Sequence, residues 1–319
     1  MKRASLASLA LLLGSALGHP QSATAPDSAR WFAYDRKQPL DIQEKATYDR
    51  YGVRVIDLTC ASPRQGRVTA FLVVPRGKGP FAAILFGHWG GGNRTEFLPE
   101  AELYAQVGAI SLLMDYRWTR PTPWRRSVPN MDKPELDREI YSQAVVDLRR
   151  GFDLLLDRPD VDPKRVAYVG HSYGAQWGAI LSAVDRGMKT TVLVGGTPTL
   201  ADVLLHDSPD VEEFVKTRRA QVEKYIEVNK SLDAVNFIPR GAPIPLLFQF
   251  ARFEQYFSRE AMDRYIQAAS EPKWIKWYDT GHDLNDVRTL LDRAEWLEKQ
   301  IGLKALGPVL EKQLQGTPP

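Results

Sequence analysis

The run Gly170-His171-Ser172-Tyr173-Gly174 sets a serine between two glycines, each two positions away. It stands where an apolar, strand-like stretch, Arg165–Val169, gives way at once to helix-forming residues from Tyr173 through Ser182. A strand that turns directly into a helix forces a tight elbow at Ser172, and side chains at 170 and 174 would collide across it. The strained backbone lifts the serine hydroxyl into the open beside a helix N-terminus. The plainer alternative is a strand-to-helix turn carrying an idle surface serine. A serine hydroxyl is a weak nucleophile near neutrality and needs a base to take its proton.

Five histidines are available. His282, in Asp279-Thr280-Gly281-His282, alone falls between the last strand-like run, Trp274–Tyr278, and a closing helix-like segment, Leu284–Gln300. His171 is too constrained inside the elbow to reach its neighbour's hydroxyl. His282 is therefore the expected base. A third group, a carboxylate, is needed to hold the imidazole in one tautomer. The strand-like Pro245–Phe250 is followed by Ala251-Arg252-Phe253-Glu254-Gln255-Tyr256-Phe257, where Glu254 is the only acid. Phe257 can anchor that turn, and Glu260 and Asp283 are the fallback acids. The order is Ser172, Glu254, His282.

Attack on a carbonyl also needs donors aimed at the oxygen that gains charge. The backbone N–H of Tyr173 is one expected donor. The other should come from His88-Trp89-Gly90-Gly91-Gly92-Asn93, where glycines let backbone amides approach a ligand closely. Trp89 and Gly90 are the candidates, and the sequence does not choose between them. A phosphate cradle is the competing use of such a loop. It lacks a Lys-Ser/Thr step here, and Pro99 is expected to break the following helix early.

These side chains lie far apart in the chain, so the fold must bring them together. Apolar β-rich runs at Phe81–Phe86, Ile110–Asp115, Val166–Val169, Thr190–Val194, Pro245–Phe250 and Trp274–Tyr278 alternate with helical periods. One helix face carries Ile140, Tyr141, Ala144, Val145, Leu148, Phe152 and Leu155. Ser258 is a candidate N-cap. Val53–Thr59 and Val68–Pro75 read as an antiparallel pair. The expected class is α/β: a mostly parallel twisted sheet with helices on both faces and antiparallel strands at its N-terminal side. A helical insertion at about 199–240 follows the sixth strand, as a lid over the sheet edge or a cap on the core.

Composition narrows the alternatives. The chain has 319 residues, 44% hydrophobic and 25% charged, which suits one large globular core. A formal charge of +3 gives no nucleic-acid footprint. The single cysteine permits no internal disulfide, and no histidines share metal-ligand spacing. Lys2 and Arg3 precede an apolar run from Ala4 to Leu17, ending in the small residue Gly18. That pattern is expected to be a signal peptide, residues 1–18, which implies a secreted or periplasmic protein and a single domain over 19–319. The apolar run is too short to span a bilayer, so no stable membrane insertion is expected.

The Gly-His-Ser-Tyr-Gly elbow, the His-Trp-Gly-Gly-Gly loop, the acid after the strand and the terminal Gly281-His282 resemble the α/β-hydrolase superfamily. With Val161-Asp162-Pro163-Lys164-Arg165 before the elbow, they are most similar to its dienelactone hydrolase-like and acetyl xylan esterase-like branch. The likeness covers roughly residues 50–302. It implies an ester hydrolase acting on a small-molecule substrate with a serine–histidine–glutamate triad and no metal or organic cofactor. Two departures stand out: dienelactone hydrolases carry cysteine where this chain has Ser172, and most relatives carry aspartate where it has Glu254. A peptidase of the same fold and a non-catalytic binder that kept the fold are the rival readings. For substrate contacts, Trp118 and Trp124 are expected to line a pocket, together with Trp89 and Tyr116. Arg120, with Arg117, Arg125 and Arg126, is expected to meet a carboxylate. Alternatively, these residues pin the long loop Tyr116–Pro134 to the body.

Overall fold

The computed structural model describes residues 27–206 and 209–314. The expected signal peptide, residues 1–18, lies outside them. Nine strands form one sheet: β1 Gln43–Arg50, β2 Val53–Ala61, β3 Arg67–Val74, β4 Phe81–Gly87, β5 Ala109–Met114, β6 Val161–His171, β7 Thr190–Val194, β8 Leu246–Ala251 and β9 Lys273–Tyr278. Their spatial order is β1-β2-β3-β5-β4-β6-β7-β8-β9. Strands β1, β2, β3 and β5 pair antiparallel, and every pair from β5 through β9 is parallel. The helices are α1 Leu98–Gln106, α2 Pro134–Leu156, α3 Tyr173–Val184, α4 Leu200–Leu204, α5 Pro209–Asn229, α6 Arg259–Ala268, α7 Val287–Ile301 and α8 Gly307–Leu314.

Every residue of β5, β7 and β8 is buried, because helices cover both faces of a parallel sheet. Alternate residues feed opposite layers. Ala82, Ile84 and Phe86 pack towards α1 and α7, while Ala83 and Leu85 pack towards α2 and α3. Each fully buried Val, Leu, Ile or Phe side chain in these layers stabilises the fold by about 1.5–3 kcal/mol. Helix ends follow local chemistry. Ser258 caps α6 by accepting from the Ala261 N–H, Asp286 caps α7, and Gly302 ends α7 in the left-handed conformation at φ +66. Among the described residues no helix is long and apolar enough to cross a membrane.

Three expectations need correction. Strand β1 is absent from the sequence reading because its residues, Gln43-Glu44-Lys45-Ala46-Thr47-Tyr48-Asp49-Arg50, are nearly all exposed. It is an edge strand held by ladder hydrogen bonds to β2, so burial leaves no trace in its pattern. The helical insertion accordingly follows the seventh strand. Pro99 does not break the helix after the glycine loop: it sits in the first turn of α1, where the missing N–H has no partner to lose. The insertion itself divides into two parts. Helix α4 reaches the sheet's carboxyl edge, while α5 packs on α2 through the buried Val222 and Tyr225.

Candidate active site

Ser172 stands between the last residue of β6 and the first of α3, at φ +54 and ψ −112. A residue with a Cβ is strained there. The neighbours allow no relief. A Cβ on Gly170 would come within 2.3 Å of the Gly174 carbonyl oxygen, and one on Gly174 within 2.1 Å of the Gly87 carbonyl oxygen. The second contact ties the elbow to the end of β4. The Ser172 N–H donates to the Val194 carbonyl at 2.8 Å, fixing the elbow to β7 as well. The hydroxyl makes no cap bond to α3 and borders an open cavity.

His282 follows β9, and Glu254 follows β8; the two strands are parallel neighbours, so their ends lie side by side. Glu254 Oε2 is 2.7 Å from His282 Nδ1, and the carboxylate side chain is only 2% exposed. Its other oxygen, Oε1, accepts the N–H groups of Gln255 and Tyr256, each at 3.0 Å. With Oε1 bound to two donors, Oε2 is held towards the imidazole. Tyr256 and Phe257 meet the His282 ring edge to face, at centroid distances of 4.7 and 5.8 Å. The fallback acids are elsewhere: Asp283 is exposed, and Glu260 lies in the first turn of α6. Ser172 and His282 line one cavity of about 210 Å³, and no hydrogen bond joins them.

The glycine loop presents two peptide planes to this cavity. The Trp89 N–H, one of the two candidate donors, is engaged by Glu96 Oε2 at 2.8 Å. The Trp89 carbonyl accepts from His88 Nδ1 at 2.6 Å and from the Gly92 N–H at 3.1 Å. In a trans peptide the next N–H points opposite the carbonyl, so these bonds fix the direction of the Gly90 N–H. Among the described residues neither the Gly90 nor the Tyr173 N–H is taken by another protein group. His88 itself is buried, and desolvation pushes its pKa down to about 3. It stays neutral, donating through Nδ1 while Nε2 accepts the Tyr116 N–H at 3.3 Å.

The cavity walls are mainly apolar. Val128, Pro129, Leu200, Val203, Leu204, Tyr256 and Phe257 join Trp89, Gly90, Gly91 and Tyr173 around Ser172 and His282. Of the tryptophans expected here, Trp89 alone lines it. Trp118 is buried behind the loop, donating from Nε1 to the Gly90 carbonyl at 2.7 Å. Trp124 lies further away, its ring against Gly66 and under the Arg117 guanidinium. Arg120 is fully buried and paired with Asp147. Arg120, already neutralised in the interior, has no charge to offer a substrate, whereas Trp118 also lines a second hollow. Arg126 pairs with Asp137, whereas Arg125 is exposed and bonded only to the Thr119 carbonyl. Arg125 and Arg126 line that second, more polar hollow of about 300 Å³ on the far side of Gly90 and Gly91. The apolar contribution of α4 was not legible in sequence, because a five-residue helix has no periodicity to read.

The fold and this cluster can be set beside known proteins. The chain's structure is similar to acetyl xylan esterase from Paenibacillus sp. R4, with a TM-score of 0.70 at 20% identity over 86% of this chain and 92% of that one. It is equally similar to acetyl xylan esterase 1 from Thermoanaerobacterium sp. JW/SL YS485, with a TM-score of 0.70 at 17% identity over 86% and 93%. Among curated relatives, acyl-coenzyme A amino acid N-acyltransferase 1 of Mus musculus is 28% identical over 170 residues, 53% of this chain and 36% of that protein. Acyl-coenzyme A thioesterase 5 of Mus musculus is 27% identical over 75% of this chain and 57% of its own length. The chain thus spans between a third and three-fifths of those two relatives. The profile of the family described as Acetyl xylan esterase (AXE1) matches residues 34–204, more than half of the chain, from the N-terminal strands through the glycine loop and the elbow to α4. The chain belongs to the acetyl xylan esterase family and has the α/β-hydrolase fold.

Proposed function

We propose that this protein is a serine esterase that hydrolyses small esters through an acyl-serine intermediate. Membership of an esterase family supports ester hydrolysis. The finer reading rests on one observation: the buried Glu254 lies 2.7 Å from His282, which lines the same cavity as the strained Ser172. His282 Nε2 takes the hydroxyl proton as Ser172 Oγ attacks the ester carbonyl. The imidazolium so formed donates through Nδ1 to Glu254, which stays ionised. The Tyr173 and Gly90 N–H groups receive the oxyanion at the N-terminus of α3. The imidazolium returns its proton to the departing alcohol, and water repeats the sequence to release the acid.

The apolar cavity receives a short acyl chain, bounded by Leu200, Val203 and Leu204 of α4. The polar hollow beyond Gly90, with Arg125 and Arg126, receives the alcohol half. Labelling with a fluorophosphonate tests the class: an enzyme labels at Ser172, and a binder does not. A panel of p-nitrophenyl esters of increasing chain length, an acyl thioester and a peptide amide then sorts the activity. Short esters should be preferred, and Ser172→Ala should lower kcat on the order of 10⁶-fold. Preference for the amide would replace this reading with a peptidase.

A further inference from the structure

Two residues outside the proposed triad form a bridge between its parts. His171 is 4% exposed and directly precedes Ser172. Its Nδ1 lies 2.6 Å from Glu96 Oε1, and its Nε2 lies 3.0 Å from the His282 carbonyl oxygen. Both partner atoms are oxygens, one of a side-chain carboxyl and one of a main-chain carbonyl. Glu96 Oε2 meanwhile holds the Trp89 N–H at 2.8 Å. One continuous path therefore runs from the glycine loop through Glu96 and His171 to the main chain of His282. The rings of His171 and His282 also touch, with centroids 5.0 Å apart.

We propose that Glu96 and His171 act as one positioning unit, which holds the glycine loop and the His282 segment at a fixed distance from the Ser172 elbow. The proposal rests on the triad reading above. Neither residue touches the reacting atoms. Glu96 sets the plane of the peptide that carries the Trp89 N–H, which with the His88 contact to the Trp89 carbonyl directs the Gly90 N–H. His171 sets the height of the His282 backbone, and with it the imidazole. A misplacement of either by a fraction of an ångström weakens transition-state contacts more than substrate binding.

The test uses the full-length protein with Glu96→Gln, His171→Ala, His171→Gln and the double variant Glu96→Gln/His171→Ala. Each is first shown by thermal unfolding to be folded at the assay temperature. Rates on a short p-nitrophenyl ester are read with inhibition by an alkyl boronic acid, which forms a tetrahedral adduct on a reactive serine. Glu96→Gln and His171→Ala should each lower kcat about 10- to 100-fold, with KM held within about threefold. Boronate affinity should fall in step with kcat. The double variant should be no worse than the weaker single by more than about threefold, because one unit is lost only once. His171→Gln keeps a donor for the His282 carbonyl and should recover part of the loss seen in His171→Ala. Singles with near-normal kcat, losses confined to KM, or losses that multiply in the double variant would each overturn the proposal. A wild-type protein that neither labels with fluorophosphonate nor binds boronate would overturn the triad reading instead, before any variant is made.

Discussion

Replacing Glu254 by glutamine keeps the shape of the side chain and changes one thing, what the far atom offers His282. The structure dictates which way the amide must lie. Oε1 accepts two backbone N–H groups, from Gln255 and Tyr256. The amide oxygen has to take that place, since an NH₂ there would face two donors. The NH₂ is then left pointing at His282 Nδ1, 2.7 Å away. Nδ1 must become an acceptor, so the ring's hydrogen moves to Nε2. An imidazole with hydrogen on Nε2 cannot take a proton there from Ser172. The expected loss in kcat is about 10⁴-fold, or roughly 5.4 kcal/mol of transition-state stabilisation. KM should change little, because Glu254 does not line the cavity. Glu254→Ala removes the misplaced NH₂ and frees the tautomer, so glutamine, the isostere, should be no more active than alanine. Both are measured as steady-state rates on a p-nitrophenyl ester, with fluorophosphonate labelling as a second readout. Glu254→Gln activity within tenfold of wild type would refute the assignment of this carboxylate, as would a glutamine variant clearly faster than the alanine one.

Other consequences follow from single contacts. Gly174→Ala puts a Cβ within 2.1 Å of the Gly87 carbonyl, so it should abolish labelling at Ser172 or prevent folding, as circular dichroism and labelling would show together. Arg120→Met leaves Asp147 buried without its cation and should cost about 3–5 kcal/mol, seen as a fall in Tm, while KM stays unchanged because Arg120 lines neither the cavity nor the polar hollow. Asp233 accepts the Leu200 N–H at 2.8 Å at the start of α4, and burial raises its pKa to about 7. A raised folded-state pKa means its stabilising contribution is complete below about pH 4 and is lost as pH rises to about 7, by on the order of 4 kcal/mol. The substitution Asp233→Asn keeps an acceptor for the Leu200 N–H and removes the titration. The Tm difference, Asp233→Asn minus wild type, should therefore grow from about pH 4 to about pH 7 and then level off; a difference independent of pH would count against it. Taking the difference also cancels His88, whose depressed pKa makes stability fall with acid in both proteins.

The sequence by itself determined the layout of the fold and singled out the residues of the proposed relay. A glycine two places on either side of Ser172 is demanded by backbone contacts that admit no Cβ. The acid and the histidine follow parallel strands, and the first of these, β8, is fully buried and apolar at every position but Gln249, legible because neither face meets water. Local patterns of this kind are written along the chain. The edge strand β1 was not legible, since exposure removes the apolar signal and only its partner β2 reveals it. Tertiary structure alone favours Gly90 over Trp89 as the proposed oxyanion donor, because the Glu96 carboxylate arrives at the Trp89 N–H. It also turned Arg120 from a substrate contact into a buried half of an ion pair, and it drew His171 and Glu96 into one chain of hydrogen bonds. A charge or a ring nitrogen reads the same in sequence whether it faces a ligand or another side chain. Which one it meets is settled by residues tens of positions away that only the packed sheet brings near.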